Sequence, residues 1–242
     1  MSNGSTLGEN VFSVNLDELM NMQGHFEDQR RSIGKAHQLK NEVCALSKEG
    51  VSLLGKGLLK EAQEKLDRSQ SANKQLRELN IPTDVMWELD NDAGQELAEL
   101  ALLISAYPII VGKTETGLLK FPTDEDLKIN PTAYLAGLAD AASEITKLAV
   151  DLDLNGLAKT ETIYRQALYV VQEISQILHT FSRTYPMVLN NTRRRGQGLN
   201  NKLRQVLFAE LRIKEKLIGL RDRSSLIEEI VSRVGEQVRP TS

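Results

Sequence analysis

One cysteine, six prolines, three histidines and 5% aromatic residues leave little material for several kinds of chemistry in a chain of 242 residues. The single Cys44 excludes an internal disulfide and a cysteine zinc site, and within VCAL it reads as a small core residue. None of His25, His37 and His179 follows an acid by three positions, the spacing that di-iron bundles use. A His37–His179 acid/base pair is a weaker reading than two ordinary histidines. The GKTETG segment contains Gly-Lys-Thr, but a phosphate-binding Walker loop needs a glycine five residues before that Gly-Lys, and position 107 is Tyr. There is no basic-then-apolar leader. The longest apolar stretch, Leu97 to Val111, is too short to span a membrane and contains Glu99. These absences predict a soluble, cytoplasmic protein with no membrane partner.

What is abundant is Leu, Ala, Glu and Lys, the composition of an all-α protein. Residues 1–14 are polar and Gly/Ser-rich and read as a flexible arm. Apolar spacing predicts helices over about Asn15–Leu54 and Leu58–Leu79. Asn80-Ile81-Pro82 stops the second, and Thr83 or Asp84 caps a third that runs to about Ala106, limited or kinked by Pro108. Residues 112–130 read as a connector with a short helix at most. Pro131 opens the next long helix, where its missing N–H costs nothing, and Asn155-Gly156 ends it. Two further helices are expected over about Leu157–Phe181 and Asn191–Ile218, with a short one over Ser224–Glu236. The whole predicts one all-α bundle of about seven helices over residues 15–236, followed by a tail at 237–242.

The formal charge of −3 hides an asymmetry. From Arg183 to Arg239 there are 13 Lys and Arg against 6 Asp and Glu, a net of +7, which leaves −10 for the remainder. Such a division suits a basic surface for an anionic partner and an acidic site elsewhere. Ordinary charged helix faces give the same count.

Four acids on two apolar helices carry the most information. Glu96 and Glu99 lie in QELAELALLISAY, and Asp140 and Glu144 in YLAGLADAASEITKL. Residues three or four apart share one side of a helix, so each helix presents a pair of carboxylates. The helix after Glu96 is apolar nearly all round and is expected to be buried. Facing carboxylate pairs in such a setting repel unless a cation neutralises them, and an all-oxygen cluster suits Mg²⁺ or Mn²⁺. Cations of this kind draw charge from a phosphate and make water a nucleophile at neutral pH. On the second helix, however, Asp140, Glu144, Lys147 and Asp151 equally describe a plain polar stripe with a Glu144–Lys147 pair. Spacing alone serves both readings.

The segment from Pro131 to Val150 resembles the signature helix of the translin family, with Tyr134, Leu135, Gly137, Leu138, Glu144 and Lys147 in the motif positions. Within that family, Asp140 and the Glu-x-x-Glu of QELAEL are similar to the TRAX type rather than to translin itself. Arg30, Arg31, Ser47 and Lys48 resemble residues of the family's first helix, and the likeness extends more weakly over about residues 20–220. A basic nuclear-import cluster of the eukaryotic type is absent and the loop between the acid-bearing helices is short, which fits an archaeal type.

The resemblance implies a Mg²⁺- or Mn²⁺-dependent endoribonuclease on a seven-helix bundle. Glu96, Glu99, Asp140 and Glu144 would act as metal ligands and catalytic residues inside a hollow homo-octamer. Its partners would be single-stranded or short RNA, with single-stranded DNA as a further ligand. Positive groups are needed for phosphates, and the candidates are Arg30, Arg31, Arg193, Arg194, Arg195, Lys202 and Arg204. Few aromatics are available for stacking, so sequence-tolerant binding led by the backbone is expected. Two other functions use similar features: a helical Mg²⁺-dependent nucleotide pyrophosphohydrolase, and a non-catalytic translin-like shell that binds RNA or single-stranded DNA. Asp140 together with Glu96 and Glu99 argues against the shell.

Overall fold

A computed structural model describes residues 16–115, 117, 119–184 and 199–237. Their regular structure is seven helices: α1 (Leu16–Gly55), α2 (Leu59–Arg77), α3 (Thr83–Ile110), α4 (Asp124–Leu127), α5 (Pro131–Leu154), α6 (Thr160–Thr184) and α7 (Leu199–Gln237). No strand occurs among the described residues. The all-α expectation therefore holds.

Local chemistry explains several of these boundaries. In α2, Glu61 stands in the first turn and Lys74 and Arg77 in the last, each opposing the partial charge of the helix end it occupies. The Asn130 side chain accepts hydrogen bonds from the backbone N–H groups of Thr132 (2.8 Å) and Ala133 (3.0 Å), and Pro131 takes the first helical position of α5. Asn130→Ala is expected to cost about 1 kcal/mol by removing this cap. Urea unfolding checks it, and an unchanged midpoint would remove the cap from the account.

The core runs along α3 and α5. Leu97, Ala98, Leu100, Ala101, Leu102, Leu103 and Ala106 are all buried, as the all-round apolar sequence predicts. Helix α3 packs against α1, α2, α5 and α6, while α5 also meets α6 and α7. Two acid-bearing helices thus lie side by side at the centre, with α1 on one flank and α7 on the other.

Three expectations need correction. Helix α3 does not stop at Ala106 but continues through Pro108 to Ile110. The proline falls in the final turn, where one missing hydrogen bond is tolerated, and its carbonyl then accepts from the N–H groups of Lys113 and Thr114. Helix α6 starts at Thr160, three residues after the expected Leu157. The C-terminal region forms one long helix rather than two. Gly219 lies within this helix, where a glycine costs only about 1 kcal/mol against alanine and does not end it.

Candidate active site

Helices α3 and α5 approach closely because glycines face them both ways. A Cβ placed on Gly137 of α5 would lie 2.6 Å from the Ala98 Cβ, 2.7 Å from the Gln95 carbonyl oxygen and 3.2 Å from the Glu99 amide nitrogen. On α3, a Cβ on Gly94 would lie 3.0 Å from the Ala133 Cβ. Gly137 therefore rests on the very turn of α3 that bears Gln95, Glu96 and Glu99. Asp140 and Glu144 follow Gly137 by three and seven residues and share its side of α5.

The result is one electrostatic neighbourhood. The Glu99 carboxyl is pushed up to about 8, first by burial and then by the charges of Glu96, Glu144 and Asp140. The two pairs are on facing helices and act on one another, so they do not occupy opposite sides of the bundle. All four side chains are partly buried.

Three lysines answer three of these acids. Lys48, from α1, lies 3.4 Å from Glu96. Lys147 pairs with Glu144 one turn away on α5, the contact expected of a plain polar stripe. Lys202, from α7, pairs with Asp140 Oδ1, while the Gln95 side-chain amide donates to Oδ2. Each acid except Glu99 thus has a cation at hand. Further along α1, Lys40 lies 3.5 Å from Asp92 of α3, and Cys44 stands between the two lysines, its thiol pushed up by burial and by Glu96.

A hard divalent cation fits the donor set. The four acids offer carboxylate oxygen, and burial with three like charges pushes the Glu99 carboxyl up to about 8, a repulsion that a bound cation would relieve. As these side chains are turned, no three Asp, Glu, His or Cys groups among the described residues are gathered to hold a metal ion. Three of the four acids are instead drawn to their lysines.

The basic residues proposed for RNA contact fall in different places. Lys202 is buried and engaged with Asp140. Sequence reasoning counted it among the phosphate contacts because it follows the arginine run, and the partner that claims it is 62 residues away. Arg204 is exposed near the start of α7. Arg30 and Arg31 are exposed on α1, and Arg31 lies 3.6 Å from Asp28. Eighteen residues separate Arg30 from Lys48, about 27 Å of helix, so neither arginine joins the acid cluster. Arg193, Arg194 and Arg195 lie outside the described residues. Sequence reasoning missed Gln95, although its i,i+4 relation to Glu99 sets both on one face. The signature residue Tyr134 serves elsewhere: burial and the α4 acids Asp124 and Asp126 push its hydroxyl up to about 12.

Compared with solved structures, this architecture is similar to AfC3PO of Archaeoglobus fulgidus. The TM-score is 0.65 with 23% identity, over 85% of this chain and 98% of that one. The chain has the C3PO fold. A second AfC3PO structure, a complex with duplex RNA, gives 0.64 and 23% over 85% of this chain and 97% of that one. Apo-NeC3PO gives 0.59 and 16%, covering 85% and 98%. No family model and no curated protein sequence matches this chain. The translin-like fold expected from the Pro131–Val150 segment is thus borne out by three-dimensional likeness, with the C3PO chains matched over nearly their whole length. No described helix is long and apolar enough to cross a membrane.

Proposed function

We propose that this chain is an endoribonuclease that depends on Mg²⁺ or Mn²⁺ and uses Glu96, Glu99, Asp140 and Glu144. The observation that carries this reading is Glu99, a carboxyl on α3 raised by burial and by the charges of Glu96, Glu144 and Asp140, gathered from two facing helices of a C3PO fold. A bound divalent cation would supply charge withdrawal from the scissile phosphate and a more acidic water. The chain's own residues do the rest. Glu96, Glu99, Asp140 and Glu144 would hold the cation, and a carboxylate oxygen left free of it would orient the attacking water. Lys48 and Lys147, both exposed beside the acids, turn from their carboxylates to phosphate oxygens.

The substrate on this reading is single-stranded or short RNA, bound through its phosphates by Arg30, Arg31, Arg204 and the Arg193–Arg195 run. AfC3PO was solved with duplex RNA, so short duplexes are admitted as ligands too. Single-stranded DNA would bind through the same phosphates. Self-association into a homo-octamer is supported by apolar side chains left exposed on α7, namely Leu207, Phe208, Leu211 and Ile218.

Cleavage assays with and without Mg²⁺, on short RNA and on nucleoside triphosphates, test the reading together with the mass in solution. RNA cleavage by an assembly of about eight 27.0 kDa chains is expected. A monomer that hydrolyses only nucleoside triphosphates would be a pyrophosphohydrolase instead. Replacing Arg193, Arg194 and Arg195 together by Ala is expected to weaken RNA binding and to lower its salt dependence by up to about three charges. An unchanged salt slope would return that run to ordinary surface.

A further inference from the structure

The three lysines around the acids are not equivalent. Lys48 and Lys147 are exposed, with 69% and 68% of their side chains accessible, and can leave for solvent or substrate. Lys202 is 7% exposed and lies among α5 and α7 core residues, with Val206 and Ala209 buried on the same side of its helix. A buried ammonium has no solvent to retreat into, and leaving its partner would strand a charge in the interior. Its partner is fixed as well, since Gln95 and Lys202 between them take both oxygens of Asp140.

We infer that Lys202 is a resident cation of the acid cluster, a buried positioning residue that stays on Asp140 when a divalent ion enters and so limits how tightly the four acids hold that ion. Lys48 and Lys147 are the displaceable counter-ions. This rests on the metal-dependent reading above, and it goes further by giving α7 a part in the site. With Lys202 in place the cluster offers a divalent ion three net negative charges at most rather than four. The lysine also fixes the direction of one carboxylate, so metal binding spends less on ordering Asp140.

Two measurements on the full-length chain decide the matter. The first is Mn²⁺ titration followed by the electron paramagnetic resonance of free Mn²⁺. Lys202→Met is expected to bind Mn²⁺ about tenfold more tightly, because a fixed positive charge is gone from beside the ion. Lys202→Arg, which keeps the charge, should stay near wild type. Equal or weaker binding by Lys202→Met overturns the inference.

The second is the melting temperature without metal. Lys202→Met should melt below wild type, and Asp140→Asn/Lys202→Met should recover most of the loss because neither charge is then stranded. A double variant that melts no higher than Lys202→Met would make the lysine a packing residue, and this comparison stands even if the single variant is too unstable to titrate. A wild-type chain that binds no Mn²⁺ contradicts the nuclease reading and the metal half of the inference. The melting comparison still decides the pairing by itself.

Discussion

Glu99→Gln is expected to abolish RNA cleavage and, in the absence of metal, to make the protein more stable. The two effects have one cause. The Glu99 carboxyl ordinarily titrates near 4.5 and is raised to about 8 in the fold by burial and by Glu96, Glu144 and Asp140. Between those values the folded protein keeps a proton that the unfolded chain releases. Stability therefore falls as pH rises through this window and levels off above about pH 8. Glutamine keeps the volume and cannot ionise, so the variant escapes that fall.

Near pH 5 wild type and variant should melt alike. At pH 8.5 the variant should gain on the order of 2 kcal/mol, after discounting for the partial exposure of the side chain. For a chain of this size that is about 4–8 °C in melting temperature. Cleavage should drop by about a thousandfold, because the amide no longer helps to hold a cation that provides several kcal/mol of transition-state stabilisation. Thermal scans in EDTA at the two pH values, with cleavage assays in Mg²⁺, check both halves. A variant less stable than wild type at pH 8.5 would show that the fold wants Glu99 charged even without metal.

Gly137→Val should cost about 3 kcal/mol, at the upper end of what overpacking a tight contact costs. An added Cβ would lie 2.6 Å from the Ala98 Cβ and 2.7 Å from the Gln95 backbone oxygen. Neither is the movable end of a long side chain, so the helices themselves must separate. That separation pulls Asp140 and Glu144 away from Glu96 and Glu99. Gly34, on the exposed side of α1, provides the contrast: nothing lies within 4 Å of its added Cβ. Gly34→Ala should stabilise by up to about 1 kcal/mol through helix propensity alone. Equal effects of the two glycine substitutions in urea unfolding would refute a close helix crossing at Gly137.

These sites also show what can be read from a linear sequence and what cannot. Pro131 announced the start of α5, since its missing N–H costs nothing at a first helical position, whereas the Asn130 cap became visible only in the fold. The buried character of α3 was equally plain, because Leu97 to Ala106 is apolar apart from Glu99 and Ser105. The i,i+3 and i,i+4 spacings put each carboxylate pair on one side of its helix. That the two sides face each other is a matter of tertiary packing, and only the Gly137 contact with Ala98 and Gln95 fixes it.

Lys202 marks the boundary most clearly. In sequence it follows the arginine run and looks like one more surface charge, yet its environment is set by Asp140 from a helix far earlier in the chain. Continuity of α7 was hidden for a different reason. Gly219 is a weak helix breaker, and neighbouring helical turns outweigh it once the segment packs on α5 and α6.

On the proposed reading, four carboxylates from α3 and α5 share one divalent cation. The most direct measurement is an anomalous difference map from crystals soaked in Mn²⁺. A peak bounded by Glu96, Glu99, Asp140 and Glu144 is predicted, with carboxylate oxygens about 2.0–2.2 Å from it and Lys48 and Lys147 turned away. A fully occupied Mn²⁺ elsewhere in the protein, with Glu96 still on Lys48 and Glu144 still on Lys147, would contradict it.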